Sequence, residues 1–169
     1  TITDSSVSVS DINTINAIVD GTLTINSTTV TGSYSELNTL YSSKAGTSGL
    51  ADEAFTVSGS ISTANLVALD DHTTGAITAT ISDNDAATLI GLTDDNSNNV
   101  LAISLTDSSA SAANINTING KTAGTFTVSS TTITGTLSAV NTAYASSGIT
   151  GLGNEAVTLS DSGSVAAAD

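Results

Sequence analysis

The stretch that decides the fold is Ile12-Asn13-Thr14-Ile15 followed, six residues after Ile15, by Gly21-Thr22-Leu23-Thr24-Ile25. Apolar residues three positions apart in the first part predict one face of a short helix, and the alternation in the second part predicts a strand with one buried face. Gly21 lies between the two, where a helix ends and a positive φ is needed. The stretch therefore predicts a helix, a turn and a strand, in that order.

The same pattern returns twice along the chain. Its helical part recurs as Leu66-Val67-Ala68-Leu69 and as Ile115-Asn116-Thr117-Ile118, and the glycine recurs as Gly75 and Gly124. Self-similarity at a nearly fixed period is the signature of a repeat array, in which each unit buries its apolar face against its neighbours. A second alternating segment is also shared, at residues 54–57, 102–105 and 156–159.

The register of these motifs divides the chain into units. We expect unit 1 at residues 1–53, unit 2 at 54–101, unit 3 at 102–155 and the start of unit 4 at 156–169, all in one continuous structure that is a segment of a longer polypeptide. Each unit also contains a weaker internal repeat, because the segments 37–41 and 140–144 echo the helical motif and residues 89–92 fill that position in unit 2. The elementary module is therefore a strand and a short helix of about 25 to 27 residues.

Alternating strands and helices predict an α/β solenoid with a parallel β-sheet. A chain that always advances in one direction through right-handed crossovers places its helices on one side of the sheet. Neighbouring strands lie about 4.8 Å apart whereas packed helices need about 8–10 Å, so the strand–helix array is expected to be curved or superhelical. The alternation places Leu23, Ile25, Ile77, Ala79, Phe126 and Val128 in the core and Thr24, Thr78 and Thr127 on the opposite face.

The composition excludes several classes of function. The formal net charge is −14, with two Lys residues and no Arg, which removes the basic footprint of a nucleic-acid or anionic-membrane binder. No stretch approaches the roughly 18–20 apolar residues of a membrane span. With His72 as the single His and no Cys, the chain offers no Ser-His-Asp or Cys-His constellation and no zinc site. We therefore predict a protein without catalytic activity.

Acidic side chains collect at turns between the predicted elements. Oxygen-rich turns of this kind can hold Ca²⁺, although the spacing matches neither an EF-hand loop nor the nonapeptide of calcium-binding β-rolls. Asp is also the ordinary capping and turn residue at strand-to-helix junctions, and we favour that structural role. Calcium remains the one cofactor that the sequence suggests, with Asp83, Asp85, Asp94 and Asp95 as the candidate ligands.

Thr and Ser make up about a third of the chain, and three interpretations of this excess are open. Stacked Thr residues in adjacent strands stabilise a sheet through cross-strand packing, which is the interpretation we favour. A Thr-x-Thr array such as Thr22/Thr24 or Thr125/Thr127 is also typical of ice-binding solenoids. O-glycosylation of a hydroxyl-rich surface is the third interpretation.

The segment from Val140 to Asp161 resembles sequences of a known kind. It reads Val140-Asn141-Thr142-Ala143-Tyr144-Ala145-Ser146-Ser147-Gly148-Ile149-Thr150-Gly151-Leu152-Gly153-Asn154-Glu155-Ala156-Val157-Thr158-Leu159-Ser160-Asp161. It is similar to the tandem repeats of giant secreted and cell-surface proteins of cyanobacteria, including the type needed for swimming motility. The likeness covers essentially the whole chain, and the middle unit departs most. The resemblance implies an extracellular location and a structural, adhesive or motility-related role, with no catalytic residue to carry over.

These observations predict a non-catalytic structural segment of a long extracellular bacterial surface or filament-forming protein. Expected partners are further copies of the repeat, through its ends or through neighbouring chains, and neither nucleic acid nor a membrane span. The alternative is a binding module: a calcium-stabilised adhesin, or an ice- or glycan-binding solenoid that uses its Thr/Ser face.

Overall fold

A computed structural model describes residues 1–93 and 99–161 of the 169-residue chain. These residues form an α/β structure with six short helices and parallel sheets, which confirms the predicted class. The helices are α1 (Val9–Asn16), α2 (Tyr34–Ser43), α3 (Thr63–Asp70), α4 (Ala86–Leu89), α5 (Ala112–Asn119) and α6 (Leu137–Ala145). The strands are β1 (Ser6–Ser8), β2 (Leu23–Thr24), β3 (Thr29–Gly32), β4 (Thr47–Ser48), β5 (Ala54–Ile61), β6 (Ile77–Ile81), β7 (Val100–Leu105), β8 (Ser109–Ser111), β9 (Phe126–Val128), β10 (Thr132–Gly135), β11 (Ile149–Thr150) and β12 (Ala156–Leu159).

The strands pair in chain order. A seven-stranded sheet has the order β1-β3-β5-β6-β7-β9-β11, a three-stranded sheet joins β8, β10 and β12, and β2 pairs with β4. All these pairs are parallel. Thr29 pairs with Ala54, for example, and Phe55 pairs with Ile77. The chain therefore returns beside itself at nearly regular intervals, and we call each such interval a coil.

Seven coils follow one another along the described chain. Each full coil contains one or two short strands and then a helix, and consecutive helices pack side by side, with α1 on α2, α2 on α3, α4 on α5 and α5 on α6. Coil 1 contains β1 and α1, coil 2 contains β2, β3 and α2, coil 3 contains β4, β5 and α3, coil 4 contains β6 and α4, coil 5 contains β7, β8 and α5, coil 6 contains β9, β10 and α6, and coil 7 contains β11 and β12.

The helices begin where a short polar side chain caps the first turn. In each of the six, the N-cap side chain accepts a hydrogen bond from the backbone N–H three residues later, which satisfies a donor that the helix leaves free. A capping box is present at Ser33, since Glu36 also accepts from the Ser33 N–H at 2.8 Å. The N-caps are Ser8, Ser33, Ser62, Asp85, Ser111 and Thr136.

The core is a column of aliphatic side chains between the strands and the helices. Strand residues alternate between inside and outside, and each buried Val, Leu, Ile or Phe stabilises the fold by about 1.5–3 kcal/mol. The core contains all six strand residues predicted for it: Leu23, Ile25, Ile77, Ala79, Phe126 and Val128. From the helices it takes Ile12, Leu37, Leu66, Leu69, Ile115 and Ile118.

The glycines after three helices serve two different purposes. Gly21 has φ +122°, as predicted for a turn after a helix. The prediction of a positive φ is wrong for Gly75 and Gly124, which lie where the chain crosses close to the preceding coil. A Cβ on Gly75 would lie 2.5 Å from the carbonyl oxygen of Glu53, and a Cβ on Gly124 would run into the backbone of Leu101. Close approach of two coils therefore explains these two residues.

The observed coil is slightly shorter than the predicted module, as the pairing of Phe55 with Ile77 shows. The difference arises because the number of residues between successive helices is not the same as the number between paired strands. The interval between the helix N-caps Ser33 and Ser62 is the longer one, since β5 continues through a bulge beside Gly59, at φ +79°, before α3 begins. The extra residues are thus absorbed by a local shift of register in the pairing of β5 with β6.

Candidate functional site

The outer surface of the strands is uncharged. The chain carries 16 Asp and Glu, yet none of the described strands contains a charged residue. Successive paired residues on the outside form rows of hydroxyl and methyl groups, such as the row Ser8, Thr31, Thr56 and Thr78 across β1, β3, β5 and β6. Ser104, Thr127 and Thr150 form a second row across β7, β9 and β11. This uncharged surface is the hydroxyl face predicted from the sequence.

Some of these hydroxyls hydrogen-bond to each other across strands. Thr127 Oγ1 and Thr150 Oγ1 are 3.0 Å apart, and Ser48 Oγ donates to Thr24 Oγ1 at 3.3 Å. Cross-strand hydroxyl pairs of this kind stabilise neighbouring strands by a few tenths of a kcal/mol up to about 1 kcal/mol. These hydroxyls are therefore engaged in holding coils together.

Two of the four candidate calcium ligands cap helices. The N–H of Thr63 donates to Asp83 Oδ2 at 2.6 Å, and the N–H of Thr88 donates to Asp85 Oδ1 at 2.9 Å. The backbone hydrogen bond from Thr88 lowers the pKa of the Asp85 carboxyl. In residues 1–93 and 99–161 no group of three or more His, Cys, Asp or Glu side chains is placed to hold a metal ion. Asp94 and Asp95 lie outside the described residues, so their part of the prediction stays a prediction.

Asp residues also connect adjacent coils through helix N-termini. Asp83 in coil 4 accepts from the first helical residue of α3 in coil 3. Asp107 in coil 5 accepts from the Ala86 N–H of α4 at 2.7 Å, and Asp161 in coil 7 accepts from the Leu137 N–H of α6 at 2.6 Å. A carboxylate at this place satisfies a free N–H and interacts favourably with the positive end of the helix dipole. The turn carboxylates are therefore ties between successive coils.

A second tie, which was not predicted from the sequence, joins a helix to the next strand. Tyr41, in the last turns of α2, donates its hydroxyl to Glu53 Oε2 at 2.8 Å, and the Ala51 N–H donates to the same oxygen at 2.9 Å. Tyr144 makes the same hydrogen bond to Glu155 Oε2 at 2.7 Å. The signal in the sequence is a Tyr near the helix end and a Glu directly before a strand, Glu53 before β5 and Glu155 before β12.

The two Tyr–Glu ties differ in their surroundings. Tyr41 is 3% exposed and its ring packs edge-on against Phe55 with the centroids 4.6 Å apart, while Tyr144 is 39% exposed. Burial, followed by the hydrogen bond to Glu53, raises the pKa of Tyr41 well above its ordinary value. Desolvation and the Glu155 carboxylate raise the pKa of Tyr144 to about 12. Desolvation opposes ionisation of Glu155, but the hydrogen bonds from Gly153 and Tyr144 outweigh it and lower its pKa.

His72, which follows α3, contacts the helix of the preceding coil, α2, with one ring nitrogen. Its Nε2 lies 3.1 Å from Asn38 Oδ1 and 3.4 Å from Ser42 Oγ, both on α2. A nucleophile-activating His uses one nitrogen for the hydroxyl and the other for an orienting group. At His72 both contacts converge on Nε2, so the arrangement has the geometry of a contact between coils.

The last coil exposes apolar side chains that are buried at the equivalent place earlier in the chain. Val157 and Leu159 of β12 are 45% and 36% exposed. The equivalent residues after Glu53 are Phe55 and Val57 of β5. They are 0% and 8% exposed, because β6 pairs with β5 and covers them. Within residues 1–93 and 99–161, no strand pairs with the edge of β12 that faces away from β10.

The part of the chain that the structure describes contains no helix with the length and apolarity needed to cross a membrane. Comparisons with known proteins match this chain to no family model, no curated protein and no solved structure.

Proposed function

We propose that this chain is a segment of an α/β solenoid that serves as a structural part of a long extracellular bacterial surface or filament-forming protein, without catalytic activity. The observation that carries the proposal is the parallel pairing of strands from successive coils, in a sheet ordered as the chain is ordered. In such a structure each coil contacts its neighbours, so the number of coils can grow without a change of design.

The ties between coils support a mechanical role. Asp carboxylates at helix N-termini, Tyr–Glu hydrogen bonds and paired hydroxyls each join one coil to the next. The polar groups described at these places are engaged in contacts between coils. The likeness of residues 140–161 to repeats of cyanobacterial surface proteins supports the extracellular location.

An in-phase duplication tests the solenoid. A second copy of residues 54–155 inserted after residue 155 adds four coils and places β5 beside β10, the equivalent of its own partner β3. We expect a folded chain with an equal or higher melting temperature, because each added coil buries its core against its neighbours. A control that inserts residues 115–155 breaks the phase and should lower the melting temperature. Loss of folding in the in-phase variant would contradict the proposal.

Labelling of intact cells tests the location. Antibodies raised against the purified chain should label unpermeabilised cells of the source organism, and brief treatment of those cells with an external protease should remove the signal. Labelling that appears only after permeabilisation would contradict an extracellular location.

The uncharged hydroxyl face favours a second candidate function, the binding of ice or a neutral glycan. Thermal hysteresis of a solution of the chain measures ice binding, and Thr56→Asp, which puts a single charge into the row of hydroxyls, should reduce it in a variant that circular dichroism shows to be folded. A calcium-stabilised adhesin predicts a melting temperature that falls when a chelator is added. An unchanged melting temperature would count against calcium.

A further inference from the structure

We infer that one ordered water molecule is bound beside each of two equivalent buried serines, Ser27 in coil 2 and Ser130 in coil 6. Both side chains are 5% exposed, and in residues 1–93 and 99–161 their hydroxyl oxygens have no hydrogen-bond partner. A buried hydroxyl without a partner is costly, and ordered water commonly supplies the missing hydrogen bonds in proteins. The inference concerns a binding site inside the fold and goes beyond the proposed function.

The two serines occupy the same place in the fold. Each lies in the corner between the two strands of its coil, Ser27 between β2 and β3 and Ser130 between β9 and β10. In both corners the residue after the serine donates its N–H and its hydroxyl to one carbonyl oxygen of the preceding coil. These contacts run from Thr28 to Ser5 and from Thr131 to Ser108. The unpartnered hydroxyl is therefore a repeated feature of this corner.

The preceding coil matches each serine corner residue for residue. The paired positions on either side of the corner leave three residues in both coils, 3–5 opposite 26–28 and 106–108 opposite 129–131. Backbone hydrogen bonds cross both of these matched corners. The preceding coil therefore leaves little reason for an unpaired polar group.

The following coil is longer at this corner by one residue. Its paired positions leave four residues, 25–28, opposite five, 49–53, between coils 2 and 3. Between coils 6 and 7 they leave four residues, 128–131, opposite five, 151–155. An extra residue in one of two paired segments disrupts the pairing and bends the longer segment. The mismatch gives a physical reason why a hydroxyl in the shorter corner has no protein partner.

A pocket accompanies the mismatch between coils 6 and 7. It has a volume of about 330 Å³, and its lining includes Ser130, Thr131, Asn154 and Glu155. One water takes up about 30 Å³ in the liquid and needs two to four polar partners when it is buried. The residues that line this pocket carry hydroxyl, amide and carboxylate groups, so they offer both donors and acceptors. The space and the chemistry therefore fit water.

The same groups fit a metal ion less well. Glu155 already accepts hydrogen bonds from the Tyr144 hydroxyl and from the Gly153 N–H. Within the described part of the chain, no three His, Cys, Asp or Glu side chains are grouped to hold an ion. A neutral ligand that both donates and accepts is the one that the serine hydroxyl requires.

Removal of the serine hydroxyl separates a bound water from a dry site. With water bound, Ser27→Ala and Ser130→Ala each take a hydrogen-bond partner from it, and we expect each to lower the melting temperature by about 2–4 °C. At a dry site the same change removes an unpaired buried hydroxyl, so the melting temperature would rise. Ser129→Ala, an exposed neighbour, is the matched control and should leave it unchanged. A rise or no change in either serine variant overturns the inference.

A crystal structure of the unchanged chain, at a resolution that shows ordered water, locates the ligand. We expect one water oxygen within hydrogen-bond distance of Ser27 Oγ and another within that distance of Ser130 Oγ. A serine hydroxyl bonded directly to a protein atom at either corner overturns the inference, as does a metal ion or another solute identified there by its coordination distances. The in-phase duplication can still fold in that case, so failure of the inference and failure of the proposed function are distinguishable.

Discussion

The Tyr41 hydroxyl donates a hydrogen bond to the buried side chain of Glu53. Glu53 is 4% exposed and receives hydrogen bonds from Tyr41 and from the Ala51 N–H. Removal of one partner of a buried charged group leaves that group with a desolvation penalty that water cannot offset. The same hydrogen bond at Tyr144 lies at the surface, where water replaces a lost partner. The two sites form a natural matched pair.

Replacement of each Tyr by Phe should separate these two environments. We expect Tyr41→Phe to lower the free energy of unfolding by about 1–3 kcal/mol, because Glu53 loses its donor in the interior. Tyr144→Phe should change it by less than about 0.5 kcal/mol, as ordinary surface substitutions do. Urea unfolding followed by circular dichroism measures both. Equal effects would show that Glu53 is not buried as described.

We expect alkaline pH to ionise the Tyr144 phenol and to remove its contribution to the stability of the fold. Its pKa is raised from 10.0 to about 12 in the folded chain, so the stabilisation from this phenol is present below pH 10 and is lost as the pH rises through the folded-state value. We therefore expect tyrosinate absorbance from Tyr144 to appear near pH 12 in the folded protein. Subtracting the titration of Tyr144→Phe isolates that signal, and ionisation near the ordinary value of a tyrosine would contradict the Glu155 contact.

Contacts between consecutive coils set the requirements on the elements. Helices of four to ten residues are too short to persist alone, and here each one is capped at its own N-terminus and tied to a neighbouring coil. The ties use short side chains at turns, such as Asp107 at the α4 N-terminus. Where two coils cross closely, as at Gly124, the residue has no side chain, and this allows the two backbones to approach each other.

Asp107→Ala tests the tie between a helix N-terminus and the next coil. The Ala86 N–H loses its acceptor, and we expect a loss of about 1 kcal/mol in the free energy of unfolding. Asp4 occupies the corresponding turn in coil 1, where the described chain has no preceding helix, so Asp4→Ala is the control and should change stability by less than about 0.5 kcal/mol. Similar losses in thermal unfolding for both variants would refute a specific tie.

Gly124→Ala tests the close crossing of two coils. The added Cβ meets the Leu101 backbone, which cannot move without shifting β7, so the loss should be about 1–3 kcal/mol or more. Gly120, at the end of α5, has φ −71°, and a Cβ there would lie 3.5 Å from the nearest backbone oxygens. Gly120→Ala should therefore change stability by less than about 1 kcal/mol. A tolerated Gly124→Ala, measured by thermal melting, would argue against the crossing.

At the scale of the whole molecule, the sequence predicted what depends on local pattern. Helices at Ile12, Leu37, Leu66 and Ile115 follow from apolar spacing and capping residues, and the inward faces of the strands follow from alternation. The seven-stranded sheet that includes β6 could not be predicted from local sequence pattern, because it depends on which strands meet when the chain returns beside itself.

The candidate sites also divide into features that local sequence pattern predicts and features that depend on contacts between coils. The uncharged hydroxyl face could be predicted, since it is the other half of the strand alternation. The roles of Asp83 and Asp107 could not be assigned, because their partners lie in the preceding coil and are reached through the fold. The Tyr–Glu ties were missed because Tyr and Glu are ordinary residues whose pairing becomes visible only when two coils are adjacent.

The register of the parallel ladder is the central claim, and cysteine pairs measure it most directly, since the chain contains no Cys to interfere. Thr56 pairs with Thr78 and Thr127 pairs with Thr150, so oxidation of the double variants Thr56→Cys/Thr78→Cys and Thr127→Cys/Thr150→Cys should give disulfides without loss of folding. Thr31 and Thr78 lie two strands apart, about 9.6 Å, beyond disulfide reach, so Thr31→Cys/Thr78→Cys should stay reduced. Crosslinking of the third pair, or failure of the first two in a folded chain, would contradict the solenoid.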